Sequence, residues 1–208
     1  MNRPADAIQR HDFADRVMHW LTALGFFLAG LSGLAFFHPS MFFLSHLFGG
    51  GTWTRILHPL LGLFMALFFF AFALRHMRHN LLDANDRRWL ANAHVVMAGH
   101  EEGVPDQGKY NAGQKVLYWM LVLCMLGLLV TGFFFWRPYF ADFFPIWLVR
   151  LATLLHAVCA AGLILLVLGH VYMSIWTTYS IRAMMFGWVT RAWAKKHHAA
   201  WYREVGRQ

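Results

Sequence analysis

Four stretches without a formal charge, Val17 to Phe37, Ile56 to Leu74, Val116 to Trp136 and Leu151 to Ile181, constrain this chain more than any other feature. Each reaches the roughly 20 residues that a helix needs to cross the hydrocarbon of a bilayer. In a chain of 208 residues that is 59% hydrophobic and 13% charged, they leave little sequence from which to build a soluble core. The expected fold class is therefore an all-α integral membrane protein, a four-transmembrane-helix bundle forming a single domain. Its spans fall at about 17–37, 56–76, 115–136 and 148–178, with a tail from 182 onward. The last apolar run, about 31 residues at roughly 1.5 Å each, is longer than the hydrocarbon is thick and must tilt or protrude.

The opening segment MNRPADAIQRHDFADR is polar and mixed in charge, and no small-residue cleavage pattern follows the first apolar run, so a removable signal peptide is not expected. Cys124 and Cys159 lie inside spans and belong to no CxxC or CxxCH pattern, which leaves zinc, iron–sulfur ligation and covalent haem attachment without support. The net charge of +8 sorts by loop, which argues against a nucleic-acid surface. Arg3, Arg10 and Arg16 precede span one; Arg75, Arg78, Arg87, Arg88, Lys109 and Lys115 fall between spans two and three; Arg182, Arg191, Lys195, Lys196, Arg203 and Arg207 follow span four. By the positive-inside bias both termini and the long middle loop are cytoplasmic. That loop contains RRWLANAHVVMAGH, where Trp89, Leu90, Ala93, Val96 and Met97 recur at helical spacing before Gly99, as in a short interfacial helix. The basic, aromatic tail suits a segment lying along the inner headgroups or against a cytoplasmic surface.

Within span four, LLHAVCAAGLILLVLGH (154–170) begins and ends near histidine with no charge between. Histidine is costly in hydrocarbon unless something binds it, so His156 and His170 need a shared reason. Fourteen positions along a helix are about 21 Å and close to four turns, which sets both side chains on one face at two depths. Two stacked haems, each taking one histidine from this span, fit that spacing, since neutral imidazole is an ordinary axial ligand. By depth, His58 at the outer start of span two matches His156, and His19 at the inner start of span one matches His170. His76, five turns beyond His58, competes for the inner place, but its position between Arg75 and Arg78 reads better as interfacial. His11, His38, His46, His79, His94, His100, His197 and His198 fall in loops or tails and read as solvated. With histidine on both axial sides, each iron lacks an open position, so the haems move electrons and bind no substrate. Gly25, Gly30, Gly33, Gly62 and Gly162 suit either a macrocycle or close helix packing.

The segments DRVMHW, TRILHP (54–59), KYNAGQK (109–115), VTGFFFWRPYFADFFP (130–145) and RAWAKKHHAAWYREV, with the two histidines of span four, extend over nearly the whole chain. Together they resemble the di-haem cytochrome b family, the cytochrome b556 gamma subunits of membrane-bound respiratory formate dehydrogenases. The resemblance implies two non-covalent haems b, the outer iron held by His58 and His156 and the inner iron by His19 and His170, which decides against His76. It also implies that a quinone, menaquinone or ubiquinone, is reduced on the cytoplasmic side with Asn111, Gly113 and Gln114 lining its pocket. The residues alone read YNAGQK as a helix-start loop. The implied partners are an iron–sulfur beta subunit and a periplasmic molybdenum or tungsten alpha subunit that oxidises formate, in a heterotrimer that can assemble further. The implied location is the bacterial cytoplasmic (inner) membrane, with the redox work contributing to a proton motive force. No formate chemistry, and no catalytic residue, is expected on this chain. Two rivals remain at this stage. The cytochrome b of a nickel–iron hydrogenase would differ in its electron donor, and a haem-free membrane anchor would lack the absorption of a cytochrome.

Overall fold

The computed structural model describes residues 4–94, 105–137, 139–177 and 179–205. Helix α1 (Phe13–Phe37) starts several residues before the first apolar run because Asp12 and Asp15 cap it reciprocally: Asp15 N donates to Asp12 Oδ1 over 2.7 Å and Asp12 N to Asp15 Oδ2 over 3.4 Å. A 3₁₀ segment (Pro39–Phe48) follows and ends at Gly49 and Gly50, both left-handed with φ of 85° and 94°. Only glycine adopts such angles without strain, and the two residues turn the chain into α2 (Gly51–His76). Short helix α3 (Ala84–Ala91) carries its own capping box between Asp83 and Asp86. Then come α4 (Ala112–Phe135) and the unbroken 31-residue α5 (Ile146–Trp176).

Among the described residues, four helical stretches are long and apolar enough to cross a membrane: Phe13–Phe37, Gly51–Asn80, Ala112–Phe135 and Ile146–Trp176. Large apolar side chains such as Leu24, Phe27, Leu67, Leu123 and Leu165 point outward from them, as lipid-facing residues do. The long middle loop carries part of the helix expected there. Helix α3 takes in Trp89 and Leu90 and ends at Ala91, Ala93 and His94 are again helical, and Val96, Met97 and Gly99 lie outside the described residues.

The chain groups into two compact units. The first, Val17–Ala73 with Leu121–Gly169, has its core at Ala29, Met65, Ala66, Met125 and Leu163. Close approach is built in. A Cβ on Gly25 would stand 2.8 Å from Met65 Cβ, and one on Gly127 would stand 2.7 Å from Cys159 Sγ.

The second unit, Met1–Arg16 with Leu74–Met120 and His170–Gln208, contains the basic, aromatic tail, expected along the inner headgroups or against a cytoplasmic surface. That segment is folded into a core of its own. After α6 (Ser180–Phe186), Gly187 (φ 86°) turns into β2 (Trp188–Thr190), which pairs antiparallel with β1 (Ala7–Gln9), Ile8 opposite Val189. Helices α7 (Arg191–His197) and α8 (Ala199–Val205) complete a cluster of Ile8, Ala183, Val189, Trp193, Ala194 and Trp201. Trp193, Ala194 and Trp201 face this cluster, and Arg191, Lys195, Lys196 and Arg203 are exposed.

Candidate cofactor site

In the first unit α2 and α5 bring His58 and His156 together, their ring centroids 6.3 Å apart and the rings inclined at 72°. Two imidazoles that share one metal through a ring nitrogen, each bond about 2 Å long, have centroids roughly 6 Å apart, so the spacing fits a pair of axial ligands.

The tautomer is fixed by residues that the sequence reading did not single out. Ser32 Oγ donates its one hydrogen to Ala29 O (3.0 Å) and lies 2.9 Å from His58 Nδ1. Thr131 Oγ1 likewise donates to Gly127 O (2.6 Å) and lies 3.0 Å from His156 Nδ1. With the hydroxyl hydrogens spent on the backbone, both oxygens must accept, so each imidazole carries its proton on Nδ1 and leaves Nε2 unprotonated for a metal.

The residue after each hydroxyl is a glycine that makes room for the ring. A Cβ at Gly33 would meet His58 Cε1 at 3.1 Å, and one at Gly132 would meet His156 Cε1 at 3.6 Å. Ser32-Gly33 on α1 and Thr131-Gly132 on α4 are the same device used twice. Phe36 and Phe135 stand edge-on to the two rings at 6.3 and 5.1 Å. Of the other glycines picked out by sequence, Gly25 and Gly162 serve packing, against Met65 and Cys124, while a Cβ at Gly30 or Gly62 would meet nothing within 4 Å.

His19 and His170 are both half-buried. His19 packs edge-on to Trp20 (5.1 Å) and Phe72 (6.2 Å) in the first unit. His170 opens the last stretch of the second unit, still within α5, and its carbonyl accepts from Ser174 Oγ over 2.7 Å.

Asn111 and Gln114 form the capping box of α4: Gln114 N donates to Asn111 Oδ1 (2.9 Å), and Asn111 N donates to Gln114 Oε1 (3.0 Å). Both carboxamide oxygens thus hold the backbone, and each side chain keeps its NH2 to offer a ligand. At Gly113 a Cβ would sit 3.4 Å from Trp89 Cη2, so this glycine lets the indole cover the helix start. Lys115, a surface cation by sequence, is buried and bonded to Asp86 Oδ2 at 2.7 Å.

Three histidines that read as solvated or interfacial are buried: His11, His76 and His198. His198 Nδ1 donates to Gly108 O (2.7 Å), so its Nε2 accepts from Arg10 Nη2 (3.3 Å). Burial, aided by the Arg10 charge, pushes this imidazole down to about 3. Arg10 also donates to Lys109 O over 2.6 Å and lies 5.0 and 5.1 Å from the rings of Trp193 and Trp201. Its guanidinium, pulled down to about 10 by burial, still stays charged.

A four-helix membrane protein that presents two imidazoles with their Nε2 atoms reserved for a metal has the build of a b-type cytochrome. The chain belongs to the prokaryotic cytochrome b561 family, whose profile matches residues 10–187. Membership implies haem b, and the His58–His156 geometry fits it. The chain is 47% identical over 202 residues to the cytochrome b556(Fdn) subunit of the nitrate-inducible formate dehydrogenase of Escherichia coli K12, covering 95% of this chain and 91% of that one. It is 42% identical over 200 residues to the cytochrome b556(fdo) subunit of formate dehydrogenase of the same organism (96% and 94%). It is also 44% identical over 197 residues to the formate dehydrogenase cytochrome b556 subunit of Haemophilus influenzae (95% and 83%).

Proposed function

We propose that this chain is the membrane cytochrome b subunit of a formate dehydrogenase. In that role it takes electrons from an iron–sulfur subunit on the periplasmic side of the bacterial inner membrane and delivers them to a quinone at the cytoplasmic side, with both termini cytoplasmic. Haem b supplies one-electron redox chemistry when bound. His58 and His156 hold the outer haem, and His19 and His170, matched by depth in their spans and by the family resemblance, hold the inner one. The observation that carries the reading is the pair of imidazoles 6.3 Å apart, each oriented by a hydroxyl, in a chain similar over most of its length to formate dehydrogenase cytochrome subunits.

Held by a histidine on each side, such a haem would have no position left for a substrate and would suit electron transfer alone. Quinone reduction, which consumes protons, is assigned to the start of α4. There the NH2 groups of Asn111 and Gln114 can donate to a quinone carbonyl while their oxygens hold the helix. Electrons arriving outside and protons taken up inside separate charge across the membrane.

The test is a haem count and a formate-driven difference spectrum on the complex. Two haems b per chain, both removed by acid-acetone, are expected. His58→Ala and His156→Ala should each remove the same haem, and His19→Ala and His170→Ala the other. A ratio near one, or an inner haem lost in His76→Ala and kept in His19→Ala, would overturn the assignment.

A further inference from the structure

In the second unit, where β1 runs into α1 and where α2 ends, an open cavity of about 420 Å³ is lined by Gln9, Arg10, Asp12, Asp15, Arg75, His76, His79 and Lys109. Its outer edge is the ion pair of Arg75 with Asp12, whose side chains are 49% and 40% exposed. Behind it three titratable side chains converge out of water. Asp15 Oδ2 lies 3.4 Å from His76 Nε2 and 3.8 Å from His11 Nδ1, and all three side chains are no more than 6% exposed. Arg75 Nε holds the other carboxylate oxygen of Asp15 at 2.7 Å. His11 Nδ1 is buried and makes no hydrogen bond, since 3.8 Å is too long for one. Both imidazoles face Tyr110, with centroids 6.4 and 6.1 Å from its ring, and Tyr110 immediately precedes Asn111.

A divalent metal suits this cluster poorly despite the matching ligand types, because Arg10, Arg75 and Lys109 already surround it and outnumber Asp12 and Asp15. Protons suit it well. We propose that His11, Asp15 and His76 form the relay that carries protons from the aqueous cavity past Tyr110 to the quinone, a step that rests on placing the quinone at Asn111 and Gln114.

Each quinone reduced takes two electrons, supplied by formate oxidation in the partner enzyme through the haem-bearing chain, and two protons from the cytoplasmic water. A proton entering at the cavity is taken up at the imidazoles beside the Asp15 carboxylate and leaves on the Tyr110 side, after which the imidazole is recharged from the cavity. Burial keeps His11 neutral at rest, its imidazole down to about 4, with the Asp15 carboxylate opposing the shift and Arg10, Lys109 and His76 adding to it. A proton acquired there is passed on readily. His79, Arg75 and Asp12 complete the charged and titratable groups around the cavity.

The experiment uses the intact complex in liposomes with formate and a water-soluble quinone, comparing His11→Gln, His76→Gln and the double variant with Asn111→Asp. The readouts are steady-state quinone reduction against pH, haem reduction by formate, affinity for a quinone-analogue inhibitor, and the response to added imidazole. The double variant should lose roughly tenfold or more in turnover, with the deficit growing as pH rises. Formate should still reduce its haems, its inhibitor affinity should be unchanged, and imidazole small enough to enter the cavity should restore much of the rate. Turnover within about twofold of the parent, or a loss that imidazole leaves untouched, overturns the relay. Unchanged inhibitor affinity in Asn111→Asp overturns the quinone placement instead, and the rate and rescue data judge the relay independently of it.

Discussion

Ser32 and Thr131 decide which nitrogen of each facing imidazole is left for a metal, and they do so because their own hydrogens are already committed to Ala29 O and Gly127 O. Replacing either with alanine takes one acceptor away from Nδ1–H, which lowers ligand basicity and would stabilise a reduced iron relative to an oxidised one. Ser32→Ala and Thr131→Ala should therefore raise the midpoint potential of the outer haem and weaken its retention by about 10–100-fold, while the other haem keeps its potential; a redox titration of each variant measures this. Gly33→Val pushes directly on His58 Cε1, already 3.1 Å from the Cβ position, and should cost the same haem outright. The histidines were legible in the sequence because an uncompensated imidazole in an apolar run demands a reason. The hydroxyls were not, since serine and threonine in a membrane helix usually bond their own backbone, and these two do that as well.

Among the elements, the start of α4 is where a helix cap and the proposed quinone site share residues. Asn111→Ala removes the acceptor for Gln114 N and should cost about 1 kcal/mol at the helix start, which confuses any effect on quinone. Asn111→Asp and Gln114→Glu keep the accepting oxygens and remove the NH2 donors. They should leave thermal stability near that of the parent while weakening quinone-analogue binding, as titration of the inhibitor against each variant would show; unchanged binding in either would overturn the placement of the quinone there. Packing between helices makes a second contrast. Gly25→Ala places a methyl 2.8 Å from Met65 Cβ and 3.0 Å from its Cα, where backbone must move, and should destabilise by about 1–3 kcal/mol. Gly30→Ala meets nothing within 4 Å and should be nearly neutral in the same melting experiment. The four long helices were readable from apolar length alone, whereas their starting points were not, because reciprocal capping by Asp12 and Asp15, or by Asn111 and Gln114, extends a helix beyond its greasy part. The fold of the tail escaped for a related reason. A strand of three residues carries too little period to detect, and its partner lies some 180 residues away.

At the scale of the whole molecule, the second unit should respond to acid. His198 is buried with its imidazole pushed from the ordinary value near 6.5 down to about 3, so between those limits the unfolded chain binds a proton that the folded one refuses. Stability contributed here is fully present above about pH 6.5 and is lost as the pH falls toward 3. Trp193 and Trp201, whose rings lie 5.1 and 6.4 Å from that of His198, report it by fluorescence. The acid transition should move to lower pH in His198→Gln, which can still donate to Gly108 O and accept from Arg10 without titrating.

The composition of that unit also has a bearing on how the protein is made. It is assembled from Met1–Arg16, Leu74–Met120 and His170–Gln208, so its first piece is translated at the entry to span one and its last piece from the end of span four onward. Arg10 emerges early, yet Trp193, His198 and Trp201, which enclose its charge, are translated nearly 190 residues later. At roughly 5–20 residues per second that is a wait of about 10–40 s, during which the guanidinium must remain hydrated. Closure of this unit thus waits for the segment that follows span four, and a nascent chain cut short after span four leaves Arg10 and its neighbours without their partners.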